Sequence, residues 1–160
     1  MDVMLIQSWY YQLLGTIPEA IATVALGTAI IRERYTTKQI SLTGLIVGLI
    51  SFFLQQIPIK YGVHIPLGVV AYILTLNLVY KLHIVKSAAA AISSFIVLVC
   101  IESLVFFVQV KLFGFDEQML IEGSELSRFL LSLPPLGLLF IVAIAAQMWL
   151  RLRLKGDNVK

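Results

Sequence analysis

The run SAAAAISSFIVLVCIESLVFFVQV, from Ser87 to Val110, holds one charged side chain, Glu102. A helix needs about 20 mostly apolar residues to cross the hydrocarbon of a bilayer, and this run exceeds that. It does not alternate in polarity as a barrel strand does. Backbone groups in hydrocarbon must find partners within their own segment, so the run reads as a helix. Extended to the nearest breaks it covers Ile84–Leu112. Four more apolar runs lie around it: Ile17–Ile31, closed by Arg32-Glu33-Arg34; Thr37–Ile57, closed by Pro58; Ile65–Tyr80, closed by Lys81; and Phe129–Leu150, followed by Arg151-Leu152-Arg153-Leu154-Lys155. The expectation is an all-α integral membrane bundle of about five transmembrane helices. Residues 1–150 form one transmembrane domain and residues 151–160 a short basic tail.

Composition agrees. The 160 residues are 59% hydrophobic and 13% charged, with a mean hydropathy of +0.94. Soluble domains average roughly 45–50% apolar and 25% charged. The net charge of +3 comes from basic residues scattered among short loops, with no stripe suited to nucleic acid. A single cysteine, Cys100, excludes an internal disulfide framework and a CxxC zinc site. No cofactor is expected.

Ahead of the first span lies Val3–Leu14, with Trp9, Tyr10 and Tyr11. Tryptophan and tyrosine favour the headgroup layer, and Gly15 can stop a helix. The expected element is an N-terminal interfacial helix lying on the membrane surface. The competing reading is one long helix kinked at Pro18. The first charge is Asp2 and no basic n-region precedes it, so a cleaved signal peptide is not expected.

Lysine and arginine set the orientation. With five spans, one side collects Arg32, Arg34, Lys38, Lys81, Lys86, Arg151, Arg153, Lys155 and Lys160, while the other holds Lys60, Lys111 and Arg128. A multi-pass plasma-membrane protein with an extracytoplasmic amino end and a cytoplasmic carboxyl end follows. The loop Gly114–Arg128 carries Asp116, Glu117, Glu122 and Glu125 and is expected outside, where a short surface helix would suit its mixed pattern.

Carboxylates at bilayer depth are costly and usually have a partner or a task. Glu19 follows Thr16-Ile17-Pro18, a capping-box pattern that would close the first amides of span one. Alternatively it sits at the rim of an outward-facing pocket. Glu102 has no cap to explain it; an interhelical hydrogen bond or a binding role remains. Gln109 lies two turns beyond Glu102, on the same face. Gln55 and Gln56 close span two at that side, and His64 opens span three there. Pro134-Pro135 frees carbonyls in span five. The polar groups therefore gather in the outer half, and Asn77 and Gln147 stand out in the inner half. The candidate ligand-binding set is Glu19, Glu102, Gln109, His64, Gln55 and Gln56.

Other chemistries lack their residues. His64 and His83 fall on opposite sides, so they cannot share a haem or a metal. Cys100 has no histidine at matching depth for a thiol dyad. No Walker motif or GxGxxG occurs, and an intramembrane enzyme would need paired groups that are not at one depth. Gly44-Leu45-Ile46-Val47-Gly48, the small residues of Ser87–Ser94, and Ala25 with Ala29 can pack the bundle or form a seam for a homodimer or partner subunit.

The phrases Leu14-Gly15-Thr16-Ile17-Pro18-Glu19-Ala20 and Ile57-Pro58-Ile59-Lys60-Tyr61-Gly62-Val63-His64, with Glu102 in the fourth span, resemble the membrane-sensing amino-terminal region of AgrC/NatK-like histidine kinases with a GHKL-type ATPase domain. That resemblance implies a helical membrane module that receives an extracellular cue, often a peptide, and a dimerising helix that passes it on. The sequence continues ten residues past the fifth span and carries no phospho-accepting histidine helix or ATP site, so the resemblance implies a sensor-like module and not a kinase. Two functions are expected to compete: a non-enzymatic receptor or regulatory module binding an extracellular peptide or small amphiphile, and the substrate-capturing component of an energy-coupling-factor importer.

Overall fold

A computed structural model describes the backbone of residues 2–56, 64–113 and 125–157, and the side chains of residues 9–56, 65–111 and 129–153. Among these residues the chain forms five helices and no strand: α1 (Asp2–Ile30), α2 (Thr37–Gln56), α3 (His64–Tyr80), α4 (Ile84–Phe113) and α5 (Glu125–Asp157). Four stretches are long and apolar enough to cross a membrane: Trp9–Ile30, Thr37–Gln56, Ile84–Lys111 and Phe129–Arg153. The expected fifth span, α3, is apolar but only 17 residues long, about 25 Å at the rise of an α-helix. It nonetheless runs the depth of α2. Ile65 at its start lines the same cavity as Gln55 near the end of α2. Tyr80 at its end stacks on Tyr35, just before α2, with ring centroids 3.8 Å apart.

Helix α1 is the central pillar. It packs against α2, α4 and α5, and the neighbours α2, α3, α4 and α5 follow one another around it. Ala22, Thr23, Val24, Leu26, Thr28 and Ala29 are each at most 7% exposed. A stretch of helix this deeply packed needs no charged face, which is why residues 22–29 lack charge. The outer helices turn Leu42, Phe53, Leu78, Phe107, Ile141 and Leu152 outward, each more than half exposed. Such a surface is unfavourable in water and is what a lipid solvent requires.

The interfacial helix is corrected by the structure. Helix α1 runs unbroken from Asp2 through Gly15 and Pro18 to Ile30, the long-helix alternative. Contacts hold its first half on the bundle: Trp9 meets Phe52 of α2 edge-on at 6.4 Å, and Tyr11 meets Phe129 of α5 at 5.4 Å. The capping box at Thr16 and Glu19 falls with it, because those residues lie inside a helix. The same pattern operates at the start of α2 instead. The Gln39 backbone N–H donates to Thr36 Oγ1 at 3.3 Å, and the Thr36 N–H donates to Gln39 Oε1 at 3.0 Å. Each side chain satisfies an amide that the helix cannot.

The chain reversals are built from capping groups. Arg32 takes a left-handed φ of 60°. There the Glu33 N–H bonds Thr28 O and the Arg32 N–H bonds Ala29 O, both at 3.1 Å, a Schellman closure of α1. Lys81 takes φ 53° after α3, and Asn77 Nδ2 reaches over that turn to Leu82 O at 2.6 Å. Helix α5 continues past the expected limit of Leu150 to Asp157, so the first part of the basic tail is helical.

The GxxxG motif serves the interior. A Cβ on Gly44 would stand 2.5 Å from Ile21 Cα, and one on Gly48 would stand 3.0 Å from Ile17 Cα. The glycines let α2 approach α1 backbone to backbone. Ser87, Ala90, Ala91, Ser94 and Ala29 are likewise buried within the chain.

Candidate functional site

A cavity of about 390 Å³ lies between α1, α2, α3 and α4, at the end of the bundle where α2 finishes and α3 begins. Each helix contributes one face. Thr16, Glu19 and Thr23 come from α1; Val47, Ser51 and Gln55 from α2; Ile65, Gly68, Val69 and Tyr72 from α3; Phe95, Leu98, Val99 and Glu102 from α4. These spacings are the three- and four-residue steps of one side of an α-helix.

Glu19 and Glu102 also border a smaller pocket of about 50 Å³ toward α5, with Ser132 and Pro135. The two carboxylates therefore flank the same seam between α1 and α4. Among the described residues, the one ion pair is Lys86–Glu33 at 2.8 Å, near the opposite end of the bundle. No described lysine or arginine pairs with Glu19 or Glu102. Glu19 is partly buried, whereas Glu102 lines the cavity but is itself exposed; a carboxylate in apolar surroundings requires a proton or a cation.

The inner wall is fixed by Tyr72, which is 4% exposed and donates its hydroxyl to Thr23 O at 3.1 Å. That phenol occupies the space beside Gly27, where a Cβ would come within 2.7 Å of its oxygen. Below it, three buried hydroxyls are spent on their own helices: Thr28 bonds Val24 O at 2.9 Å, Thr75 bonds Ala71 O at 2.8 Å, and Ser94 bonds Ala90 O at 2.8 Å. Gln147 donates to Ala25 O at 2.7 Å and to Thr28 Oγ1 at 3.0 Å, tying α5 to α1. At the far end, burial and nearby Glu33 raise the Tyr35 phenol above its ordinary pKa.

The expected site residues divide. Glu19, Glu102 and Gln55 share the cavity. Gln56 does not line it, and Gln12 bridges Gln56 to Gln55. Gln12 Nε2 donates to Gln55 Oε1 at 2.7 Å, and Gln56 Nε2 donates to Gln12 Oε1 at 3.0 Å. Gln109 stands apart, donating to Leu131 O of α5 at 3.1 Å. His64 begins α3, and its side chain lies outside the described residues. So do residues 114–124, where a surface helix was expected, while Glu125–Arg128 already belong to α5. His64 and His83 fall at opposite ends of α3, and the His83 ring accepts the Val85 N–H at 3.5 Å.

Sequence reading missed Gln12, Thr23, Ser51 and Tyr72. One signal was present: Gln12, Thr16, Glu19 and Thr23 recur at four, three and four residues, a polar stripe along one face of a helix. It is visible only when α1 is read as continuous.

Comparison with protein-family models, with curated proteins and with solved structures finds no match for the chain.

Proposed function

We propose that this protein is a non-enzymatic membrane receptor or regulatory module, and that the α1–α4 cavity binds an extracellular amphiphile or peptide through a basic group. The observation that carries this reading is the placement of both intramembrane carboxylates, Glu19 and Glu102, on the wall of one cavity with apolar sides and an amide rim. Pockets of this kind, mostly apolar with a few convergent polar groups, are the usual form of small-molecule sites. The basic residues of the loops concentrate at the opposite end, and the positive-inside bias supports an orientation with the cavity toward the exterior and the carboxyl end in the cytoplasm. The resemblance to the sensing region of AgrC/NatK-like kinases fits this assignment. The importer reading is less well supported, because Ala29, half of the alanine pair that would dock a coupling subunit, is only 5% exposed within the chain itself.

The test uses the full chain in lipid nanodiscs. Thermal unfolding is followed with hexylamine, with hexanol, and with a short cationic amphipathic peptide. Stabilisation by the amine or peptide but not by hexanol, abolished in Glu19→Gln/Glu102→Gln, is the expected result. Equal responses to amine and alcohol, or a response unchanged in the double variant, overturn the reading.

A further inference from the structure

A second cavity, about 350 Å³, opens at the other end of the bundle between α2 and α5. Its floor is α1, where the short side chains of Ala22 and Ala25 lie beside Ile21. Its walls are Ile40 of α2 and Phe140, Ala143, Ile144 and Met148 of α5. The mouth is polar: Thr37, Ser41, Gln147 and Arg151. The cavity thus has a dry, elongated interior and a hydrogen-bonding entrance at one end only.

The charge at that entrance is one-sided. Arg34 Nη2 donates to the backbone carbonyl of Arg151 at 3.3 Å, which brings a second guanidinium to the mouth. Lys38 follows Thr37 directly. Among the described residues no acidic group pairs with Arg34, Lys38 or Arg151, since the nearby Glu33 is engaged by Lys86. Two guanidinium groups at the slot's opening, with Lys38 one residue from Thr37 of its lining, call for an anion there. The length also fits. From Phe140 to Arg151 is about 16 Å along a helix, close to the half-thickness, about 15 Å, of bilayer hydrocarbon.

We infer that this cleft is a binding site for an anionic phospholipid. One acyl chain lies on the alanine floor between α2 and α5, and the phosphate is held at the mouth by Arg151, Arg34 and Lys38. A zwitterionic lipid of the same chains gains the apolar contact but carries its own cation against the three basic groups. A protein helix fits less well, because its apolar face would leave those cations without partners. This inference is independent of the ligand proposed for the other cavity.

The test is native mass spectrometry of the full chain released from mixed micelles containing phosphatidylglycerol and phosphatidylcholine with identical chains. The expected result is retention of one phosphatidylglycerol with at least a several-fold preference, reduced to parity in Arg151→Gln/Lys38→Gln. Ser41→Phe, which obstructs the slot at its mouth, should reduce retention of both lipids. The double variant changes only exposed side chains, so it decides the matter even if Ser41→Phe fails to fold. Equal retention of the two lipids by the unaltered chain overturns the inference, as does a preference that survives the double variant. Occupation of the cleft by a second copy of the chain, shown by a cysteine crosslink between Ser41→Cys residues of two copies in lipid-rich nanodiscs, also overturns it.

Discussion

Gln109 of α4 donates its side-chain amide to the carbonyl of Leu131 in α5 at 3.1 Å, the carbonyl that Pro135 leaves without a helical donor. Pro135 stands four residues beyond Leu131 and has no N–H to offer. The glutamine supplies the missing proton from the neighbouring helix, so two features that look functional in the sequence account for each other. Interhelical hydrogen bonds in membranes contribute about 0.6 kcal/mol on average, up to about 1.7. Gln109→Leu is expected to destabilise the protein within that range. In a Pro135→Ala background, where the helix can satisfy its own carbonyl, the same change should cost less. Unfolding in micelles by steric trapping gives the double-mutant cycle; additive costs would show that the pair is not coupled.

The capping box at Thr36 and Gln39 and the matching pattern at Thr16 and Glu19 give a second contrast. Thr36→Ala removes an N-cap oxygen and is expected to destabilise the protein by about 1 kcal/mol. Thr16→Ala lies within α1 and replaces a β-branched residue by the best helix former, so no capping loss should appear. Amide hydrogen exchange locates the difference: faster exchange should follow Thr36→Ala at the Gln39 amide and be absent from residues 16–19 in Thr16→Ala.

Much of this architecture was legible because bilayer hydrocarbon imposes strong rules on composition. Runs such as Ile84–Leu112 must be helical whatever they pack against, and charged residues such as Arg32 and Lys81 cluster where helices end. The start of α1 was misread because Trp9, Tyr10 and Gly15 have the propensities of an interfacial helix, while the contacts that override them, Trp9–Phe52 and Tyr11–Phe129, are between residues far apart in the chain. The site was partly legible for the same reason. Glu19 and Glu102 stand out against apolar neighbours, but Tyr72 and Ser51 look like ordinary helix residues. Only the packing of α2 and α3 on α1 brings them to one cavity. Gln109 was expected to join that site, yet the carbonyl freed by Pro135 took its amide.

The glycines supply opposite signs from one substitution. Gly44→Ala places a methyl 2.5 Å from the backbone of Ile21, and neither helix axis can yield without disturbing the other contacts of α1. Overpacking of this kind costs about 1–3 kcal/mol. Gly15→Ala meets no atom within 4 Å and lies within continuous α1, so it should stabilise the protein by about 0.8–1.0 kcal/mol. Thermal unfolding of both variants in the same detergent checks the pair. A destabilising Gly15→Ala would show that the helix does break there.

Stability and binding should separate cleanly between the glutamines and the glutamates. Gln147 bonds two groups of α1, at 2.7 and 3.0 Å, so Gln147→Leu should lower stability by about 0.6–1.7 kcal/mol and leave amine binding in the remote cavity unchanged. Glu102→Gln keeps the size of the side chain and removes its capacity for charge, while among the described residues it breaks no ion pair. It should leave unfolding close to that of the parent and abolish the selective stabilisation by hexylamine. Measured together, unfolding midpoints and amine titrations should put Gln147→Leu and Glu102→Gln on different axes. If Glu102→Gln instead unfolds the bundle without a binding phenotype in the folded fraction, the carboxylate is a packing element of the α1–α4 seam, and the cavity has lost the group that was to select its ligand.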